Sequence, residues 1–122
     1  MKKIIFYYLP PIVLVIAIYF VSGISAPKLP QLFYGKDKIL HFGVYFVLTY
    51  LTARAFSQTE KYASRKILFA ILITMLYGAF DEIHQSFVPL RRPDIFDWIS
   101  DSLGAFAFLY FDRLRNKYFP KK

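Results

Sequence analysis

The chain contains no cysteine, which excludes a disulfide framework and thiolate chemistry. It also has few acids: eight Asp and Glu stand against sixteen Lys and Arg, giving a formal net charge of +8. In a soluble protein this balance would indicate nucleic-acid binding. Here the basic residues lie between apolar stretches, so they are interpreted as topology signals, and no nucleic-acid partner is expected. Internal repeats and low-complexity tracts are also missing, so residues 1–122 are predicted to form one domain.

Apolar residues are abundant, at 57% hydrophobic and 20% aromatic, with a mean hydropathy of +0.38. Soluble domains are closer to about 45–50% apolar. A soluble fold of this length buries too small a fraction of its surface to hide so much apolar area. The composition therefore predicts an integral membrane protein.

Four apolar stretches are long enough, or nearly so, for the about 17–25 residues that a spanning helix needs: Ile4–Val21, Ile39–Phe56, Ile67–Phe80 and Ile95–Phe111. The third reaches that length only if it continues through Gln85, and the fourth must include Asp97 and Asp101. The predicted connections are Ser22–Lys38, Ser57–Lys66 and Phe87–Pro93. We predict an all-α, polytopic bundle of about four transmembrane helices.

The first stretch has two features that qualify this prediction. Pro10 and Pro11 predict a kink or a helix start, because proline lacks the backbone donor and crowds the preceding turn. Two lysines followed by an apolar run are also the pattern of a signal peptide. An uncleaved anchor is favoured, since the run is long and Pro27 is a poor residue just after a cleavage site.

Lysine and arginine set the predicted orientation. Eleven of the sixteen fall on the side that carries both termini, and five fall on the other side. The positive-inside rule then places both termini in the cytoplasm of a multi-pass cell-membrane protein.

Six of the eight acids fall at the predicted outward-facing ends of the second, third and fourth helices, together with both histidines. An α-helix turns by about 100° per residue, so residues three, four, seven or eight apart share a face. Three polar stripes result: Asp37-His41-Tyr45 on the second helix, Asp81-Gln85 on the third and Asp94-Asp97-Asp101 on the fourth.

Burial depth makes these stripes candidates for a site. Asp101 lies about 9–10 Å below the predicted start of its helix. An ionised carboxylate facing lipid there costs at least about 2.5 kcal/mol, so the stripes should face one another, arginine or water. We predict a polar pocket that opens outward between helices two, three and four. The candidate ligand-binding residues are Asp37, His41, Tyr45, Asp81, Glu82, Gln85, Arg91, Asp97 and Asp101.

Three motifs within residues 36–107 strongly resemble the VanZ-like family of membrane proteins. They are Asp37-Lys38-x-x-His41-Phe42-x-x-Tyr45, Asp81-Glu82-x-His84-Gln85-x-Phe87-Val88-Pro89-x-Arg91 and Asp97-x-x-x-Asp101-x-x-Gly104. The resemblance implies a multi-pass protein related to one linked with resistance to the glycopeptide teicoplanin, and it implies no particular reaction. Two positions depart from the pattern, since the family often has glycine at Leu90 and asparagine at Asp101.

Each candidate also has a structural interpretation. Asp37 and Asp94 suit helix N-caps, and His41 suits either a ligand role or an interfacial hydrogen bond. Arg91 suits an anionic head group or a salt bridge to an aspartate. Glu82 and His84 are placed toward the loop and the rim. Gly78 and Gly104 predict close helix approach.

Three functions remain open from the sequence. The first is binding of a cell-envelope molecule, such as a lipid-linked intermediate or a glycopeptide's lipid tail. The second is a membrane-embedded enzyme acting on a lipid phosphate, in which the carboxylates and His41 hold Mg²⁺, Mn²⁺ or Ca²⁺. The third is a structural network that supports partner proteins. Binding is favoured; no cofactor is evident beyond a possible divalent cation, membrane lipids are expected partners, and the oligomeric state is left open.

Overall fold

The apolar stretches form four long helices, with a single-turn helix between the second and third. The computed structural model describes residues 2–25, 28 and 37–119. The helices are α1 (Lys2–Ser22), α2 (Asp37–Phe56), α3 (Glu60–Ala63), α4 (Lys66–Ser86) and α5 (Ile95–Tyr118). No strand occurs in these ranges, which confirms the all-α prediction.

Three helices are long and apolar enough to cross a membrane: α1, α2 and α4. The prediction that the third apolar stretch continues through Gln85 is confirmed, because α4 ends at Ser86. Helix α5 has 24 residues, about 36 Å of rise, but it carries Asp97, Asp101 and Asp112 and is less apolar than the others. Only 6% of the apolar window in α1 is buried, so this helix packs at the edge of the bundle and contacts it through one side.

Helix α1 begins at Lys2 and includes Pro10 and Pro11, so the predicted helix start at the prolines is wrong, and the alternative, a kink, stays a prediction. Membrane helices tolerate proline because the freed backbone group finds other partners. The polar turn Ser57–Lys66 contains α3, whose first residue, Glu60, suits a helix N-terminus. Within the predicted loop Ser22–Lys38, residues 26, 27 and 29–36 lie outside the described residues.

Helix α2 lies at the centre and packs against α5, α4 and α1. One buried cluster joins Ile18 of α1 to Tyr45 and Leu48 of α2. Polar atoms between the helices are paired as well. The Thr49 hydroxyl, fully buried, donates to the backbone oxygen of Tyr45 at 2.8 Å, and its oxygen lies 3.2 Å from the Thr74 hydroxyl of α4, within hydrogen-bond distance. Both apolar packing and hydrogen bonding therefore fix α2 in the bundle.

Two glycines allow the close approach that the sequence predicts. A Cβ atom at Gly104 of α5 would overlap the backbone oxygen of Phe42 in α2. A Cβ atom at Gly78 of α4 would lie 2.9 Å from Oδ2 of Asp101 and 3.3 Å from the Trp98 ring. Gly104 thus sets the spacing of α2 and α5, and Gly78 makes room for a buried carboxylate.

Leu90, in the loop between α4 and α5, has a φ of 64° and is the one non-glycine residue with positive φ in the described ranges. The left-handed conformation costs a side-chain-bearing residue about 1–2 kcal/mol, whereas glycine adopts it freely. Leu90 therefore holds, with a side chain, a backbone conformation that glycine would adopt freely.

Candidate functional site

The start of α2, the end of α4 and the start of α5 meet at one end of the bundle, here called the acidic end. It is defined by Asp37, Asp81, Glu82, Asp94, Asp97 and Asp101. The polar stripes do face one another there. Asp81, Glu82, Asp97 and Asp101 are all less than 9% exposed, although each is a carboxylic acid. The bundle therefore shelters these carboxylic acids from lipid, as the free-energy cost of exposing an ionised carboxylate there requires.

Lys38 joins α2 to α5 at the rim of this end. Its Nζ donates to Oδ2 of Asp94 at 2.8 Å and to Oδ1 of Asp97 at 2.9 Å. Asp94 also caps α5, because its Oδ1 accepts from the Phe96 N–H at 2.9 Å, which confirms the predicted N-cap. The Lys38 ammonium, with help from that N–H, lowers the pKa of the Asp94 carboxyl. The role of Lys38 was not predicted, although its i, i+3 spacing to His41 places both on one face.

His41 reaches the most deeply buried acid. Its Nδ1 lies 2.8 Å from Oδ1 of Asp101, and its Nε2 lies 3.9 Å from Oδ2 of Asp97. Asp101 is fully buried. Since an ionised carboxylate can only accept, the imidazole carries a proton on Nδ1 whenever Asp101 is charged. His41 and Asp101 therefore form a unit that can hold a proton between α2 and α5.

A second chain of hydrogen bonds runs from α4 into the following loop. Gln85 donates from Nε2 to Oδ2 of Asp81 at 3.1 Å and accepts from Nη2 of Arg91 at 2.6 Å. The structure shows no ion pair between Arg91 and Asp81 or Asp97 across the described ranges. Of the two interpretations of Arg91, the salt bridge is therefore not found; Arg91 contacts Asp81 through the Gln85 amide, and its other guanidinium donors have no partner among the described residues.

Glu82 holds the start of α5 in place. Its Oε2 accepts from the backbone N–H of Asp94 at 2.8 Å, and the residue is only 8% exposed. His84 serves a similar purpose toward α1, with Nδ1 3.2 Å from the Ser22 hydroxyl and its ring stacked on Tyr19 at 4.2 Å between centroids. Neither contact with its partner element was predicted.

Four buried side-chain atoms lack a hydrogen-bond partner within the described part of the chain. They are the Tyr45 hydroxyl, Oδ1 of Asp81, Oε1 of Glu82 and Oδ2 of Asp101. An unpaired buried polar atom costs about 1–3 kcal/mol. Such a concentration at one end indicates a place where water, a cation or a ligand supplies the missing partners.

Part of this end has the geometry of a cation site. One ligand atom each from His41, Glu82 and Asp97 lies within 4.8 Å of the others. Imidazole and carboxylate oxygen together suit first-row divalent metals, and carboxylate oxygen suits Mg²⁺ and Ca²⁺. The three residues come from three different helices, which is why no local spacing in the sequence encodes them.

A cavity of about 530 Å³ lies beside these residues. Seven of the nine predicted candidates line it: Asp37, His41, Tyr45, Asp81, Gln85, Arg91 and Asp97. Glu82 and Asp101 do not line it and instead support residues that do. The volume falls within the about 300–1,000 Å³ that is typical of ligand pockets.

Helix α1 supplies a wall of the cavity that the sequence did not predict. Leu14, Ala17, Ile18 and Val21 form this apolar side, whereas the charged groups come from the other elements. Helix α1 has no polar stripe to indicate a facing direction, so periodicity gave no reason to include it. The cavity is therefore amphipathic, with an apolar flank and a charged end.

The family model for VanZ/LLP1 matches residues 4–114, nearly the whole chain. No curated protein and no solved structure shows significant similarity to it. The match includes α1 and the acidic end alike, and three helices are able to span a bilayer. The chain therefore belongs to the VanZ/LLP1 family and is a VanZ-like membrane protein.

Proposed function

We propose that this protein binds an amphiphilic molecule of the cell envelope in the cavity at the acidic end. The observation that carries the proposal is the two-sided lining: α1 gives an apolar flank, and the charged residues lie at one end. A lipid-linked cell-wall intermediate or the lipid-bearing part of a glycopeptide such as teicoplanin has this same division into chain and head. The lysine and arginine distribution supports an outward-facing position for this end.

Arg91 and Arg92 provide the anion-binding part of the cavity. Both line it, and within the described ranges neither forms an ion pair. Arg91 uses Nη2 for Gln85, which orients the fork of the guanidinium without neutralising it. Planar, forked donors suit phosphate oxygens. The nearby carboxylates of Asp37 and Asp81 then suit hydroxyl or amino groups of the same head, so a phosphate that also carries sugar or amine is the expected class.

The test uses a diazirine-bearing polyprenyl phosphate and the purified protein in nanodiscs. We expect Arg91→Gln to reduce labelling about tenfold or more, because a hydrogen bond to a charged group contributes about 1.5–3 kcal/mol. The control is Arg113→Gln, which removes the same charge from the exposed surface of α5 at the other end of the bundle. Equal labelling of the Arg91 variant, the control and the unmodified protein would contradict the proposal.

A second function is favoured by the convergence of His41, Glu82 and Asp97: metal-dependent chemistry on a lipid phosphate. A divalent cation at these residues would polarise phosphate oxygens held nearby by Arg91. The Nδ1–H of His41, bonded to Asp101, would hold the imidazole so that Nε2 faces the cation. This function shares its ligand class with the first and adds a cation and a bond-breaking step.

Calorimetric titration with Mn²⁺ checks the cation separately from turnover. We expect about one ion per chain and at least about a tenfold loss of affinity in Asp97→Asn, since the variant removes one charged ligand. Glu60→Gln is the matched control, because it removes one exposed acid of the short helix α3. If Mn²⁺ binding is absent or is identical in all three proteins, the enzymatic proposal is left without its cation and fails.

A further inference from the structure

The opposite end of the bundle, where α2 ends and α4 begins, holds a second cavity of about 230 Å³. Three cations line it: Arg54 of α2, Lys66 of α4 and Arg115 of α5. We propose that this cavity, here called the basic cavity, is a binding site for a phosphate group. It is independent of the amphiphile proposal, because the 20 residues of α2 separate the two ends by about 30 Å.

The charges of the basic cavity do not cancel. Its one carboxylate, Asp112, is 5% exposed and already accepts from Nη2 of Arg115 and from Nδ2 of Asn116 at 3.0 Å. Arg54 and Lys66 have no carboxylate within salt-bridge distance in the described part of the chain. Two of the three cations thus lack counter-charges, and a buried or half-buried cation is stabilised by an anion.

Arg54 is held in position by aromatic rings and not by an acid. Its guanidinium carbon lies 4.6 Å from the ring centroid of Phe6 and 4.7 Å from that of Tyr7, both in α1. Cation–π contacts orient the guanidinium through its faces and leave the N–H groups at its edge for an acceptor. This arrangement is expected of an arginine whose edge N–H groups bind an oxyanion.

Backbone groups around the cavity favour an anion as well. Helix α4 starts there, and its N-cap residue, Arg65, makes no side-chain capping bond. The partial positive charge of a helix start favours an anion. The carbonyl of Arg54, which would repel an anion, is covered by the Ser57 hydroxyl at 2.7 Å and the Gln58 amide at 3.3 Å.

The volume also fits a group larger than water. A water molecule occupies about 30 Å³ in the liquid, so 230 Å³ admits a phosphate with its substituents. Such a phosphate has two sources, a phospholipid head group at this face of the membrane or a free phosphate compound in solution. Both present the same oxyanion to Arg54 and Lys66, and the experiment separates them.

Thermal unfolding of the full chain in a zwitterionic detergent is measured with two probes, phosphatidylglycerol and inorganic pyrophosphate. We expect one probe to raise the unfolding midpoint, because a ligand that binds the folded state stabilises it. In Arg54→Gln/Lys66→Gln the apparent dissociation constant should rise at least about tenfold, since two charged hydrogen-bond donors are lost. Stabilisation by the lipid alone assigns the site to a head group, and stabilisation by pyrophosphate assigns it to a soluble phosphate.

The control is Arg113→Gln/Lys117→Gln, which removes two exposed cations from α5 and leaves the cavity intact. It should respond as the unmodified protein does. Lys66→Gln alone is measured in parallel, because Lys66 has no ion pair in the described ranges whose loss would unfold the chain, and its affinity should also fall. An equal response of the cavity variants and the control, or no response of the unmodified protein to either probe, would overturn the proposal.

Discussion

Gly104→Ala is expected to destabilise the protein by about 3 kcal/mol, at the upper end of the usual cost of overpacking. The new Cβ atom would overlap the backbone oxygen of Phe42 and would lie 3.1 Å from the backbone carbon of Phe42 and the nitrogen of Phe46. Backbone atoms cannot rotate away as a side chain does. Helices α2 and α5 must therefore separate, and that separation also strains the bonds of Lys38 and His41 to α5.

Gly43→Ala is the matched control, since it adds the same methyl group to α2, the helix against which Gly104 of α5 packs. Among the described residues, no atom beyond the neighbouring residues and backbone of its own helix lies within 4 Å of a Cβ atom at Gly43. Alanine is favoured over glycine inside a helix by about 1 kcal/mol, so this variant should unfold at the same temperature or slightly higher. Thermal unfolding in one detergent compares the two. A Gly104→Ala protein as stable as Gly43→Ala would show that α2 and α5 are not in close backbone contact.

Much of the fold follows from the cost of transferring residues into lipid. The apolar stretches locate the four long helices, and the required span length predicts that α4 continues through Asp81 and Gln85. The sequence predictions fail where the packing of the whole bundle overrides the preferences of a short segment. The Pro10–Pro11 pair does not begin a helix, because α1 already runs from Lys2, and residues 60–63 turn once more as a helix.

The sequence predicted which way the polar residues of the site face, but not which of them pair with one another. Helical periodicity correctly brings Asp37, His41 and Asp97 to one end, since the helix turn is fixed. It cannot say that Lys38 binds two acids of α5, or that Arg91 reaches Asp81 only through an amide, because those pairs depend on how the helices dock. The sequence did not predict that α1 lines the cavity, because this also depends on how the helices dock.

The positive φ at Leu90 shows a different limit. No pattern of apolar and polar residues predicts it, because leucine is ordinary in a loop. Only the glycine that related sequences often carry at this position points to the left-handed backbone that the structure has. The departure from the family pattern at Leu90 therefore indicated the backbone conformation, whereas the leucine side chain gave no sign of it.

His41→Ala is expected to cost about 3 kcal/mol of stability, because it leaves the carboxylate of Asp101 buried without its one partner. Asp101→Ala should also destabilise, since it leaves the imidazole unpaired. In a double-mutant cycle the two losses should not add, and we expect a coupling of about 1–3 kcal/mol. Thermal unfolding of the four proteins measures it. A coupling near zero would mean that the 2.8 Å contact contributes nothing to the fold.

The same cycle separates a structural network from a functional site. Asp101→Asn keeps an oxygen that accepts from His41, and related sequences often carry asparagine there, so its stability should fall by less than about 1 kcal/mol. If the double alanine variant recovers stability but no longer takes the polyprenyl phosphate label, the pair acts on the ligand. If it recovers both, His41 and Asp101 serve only to hold α2 against α5, and the binding function rests on the residues that line the cavity, Arg91 above all.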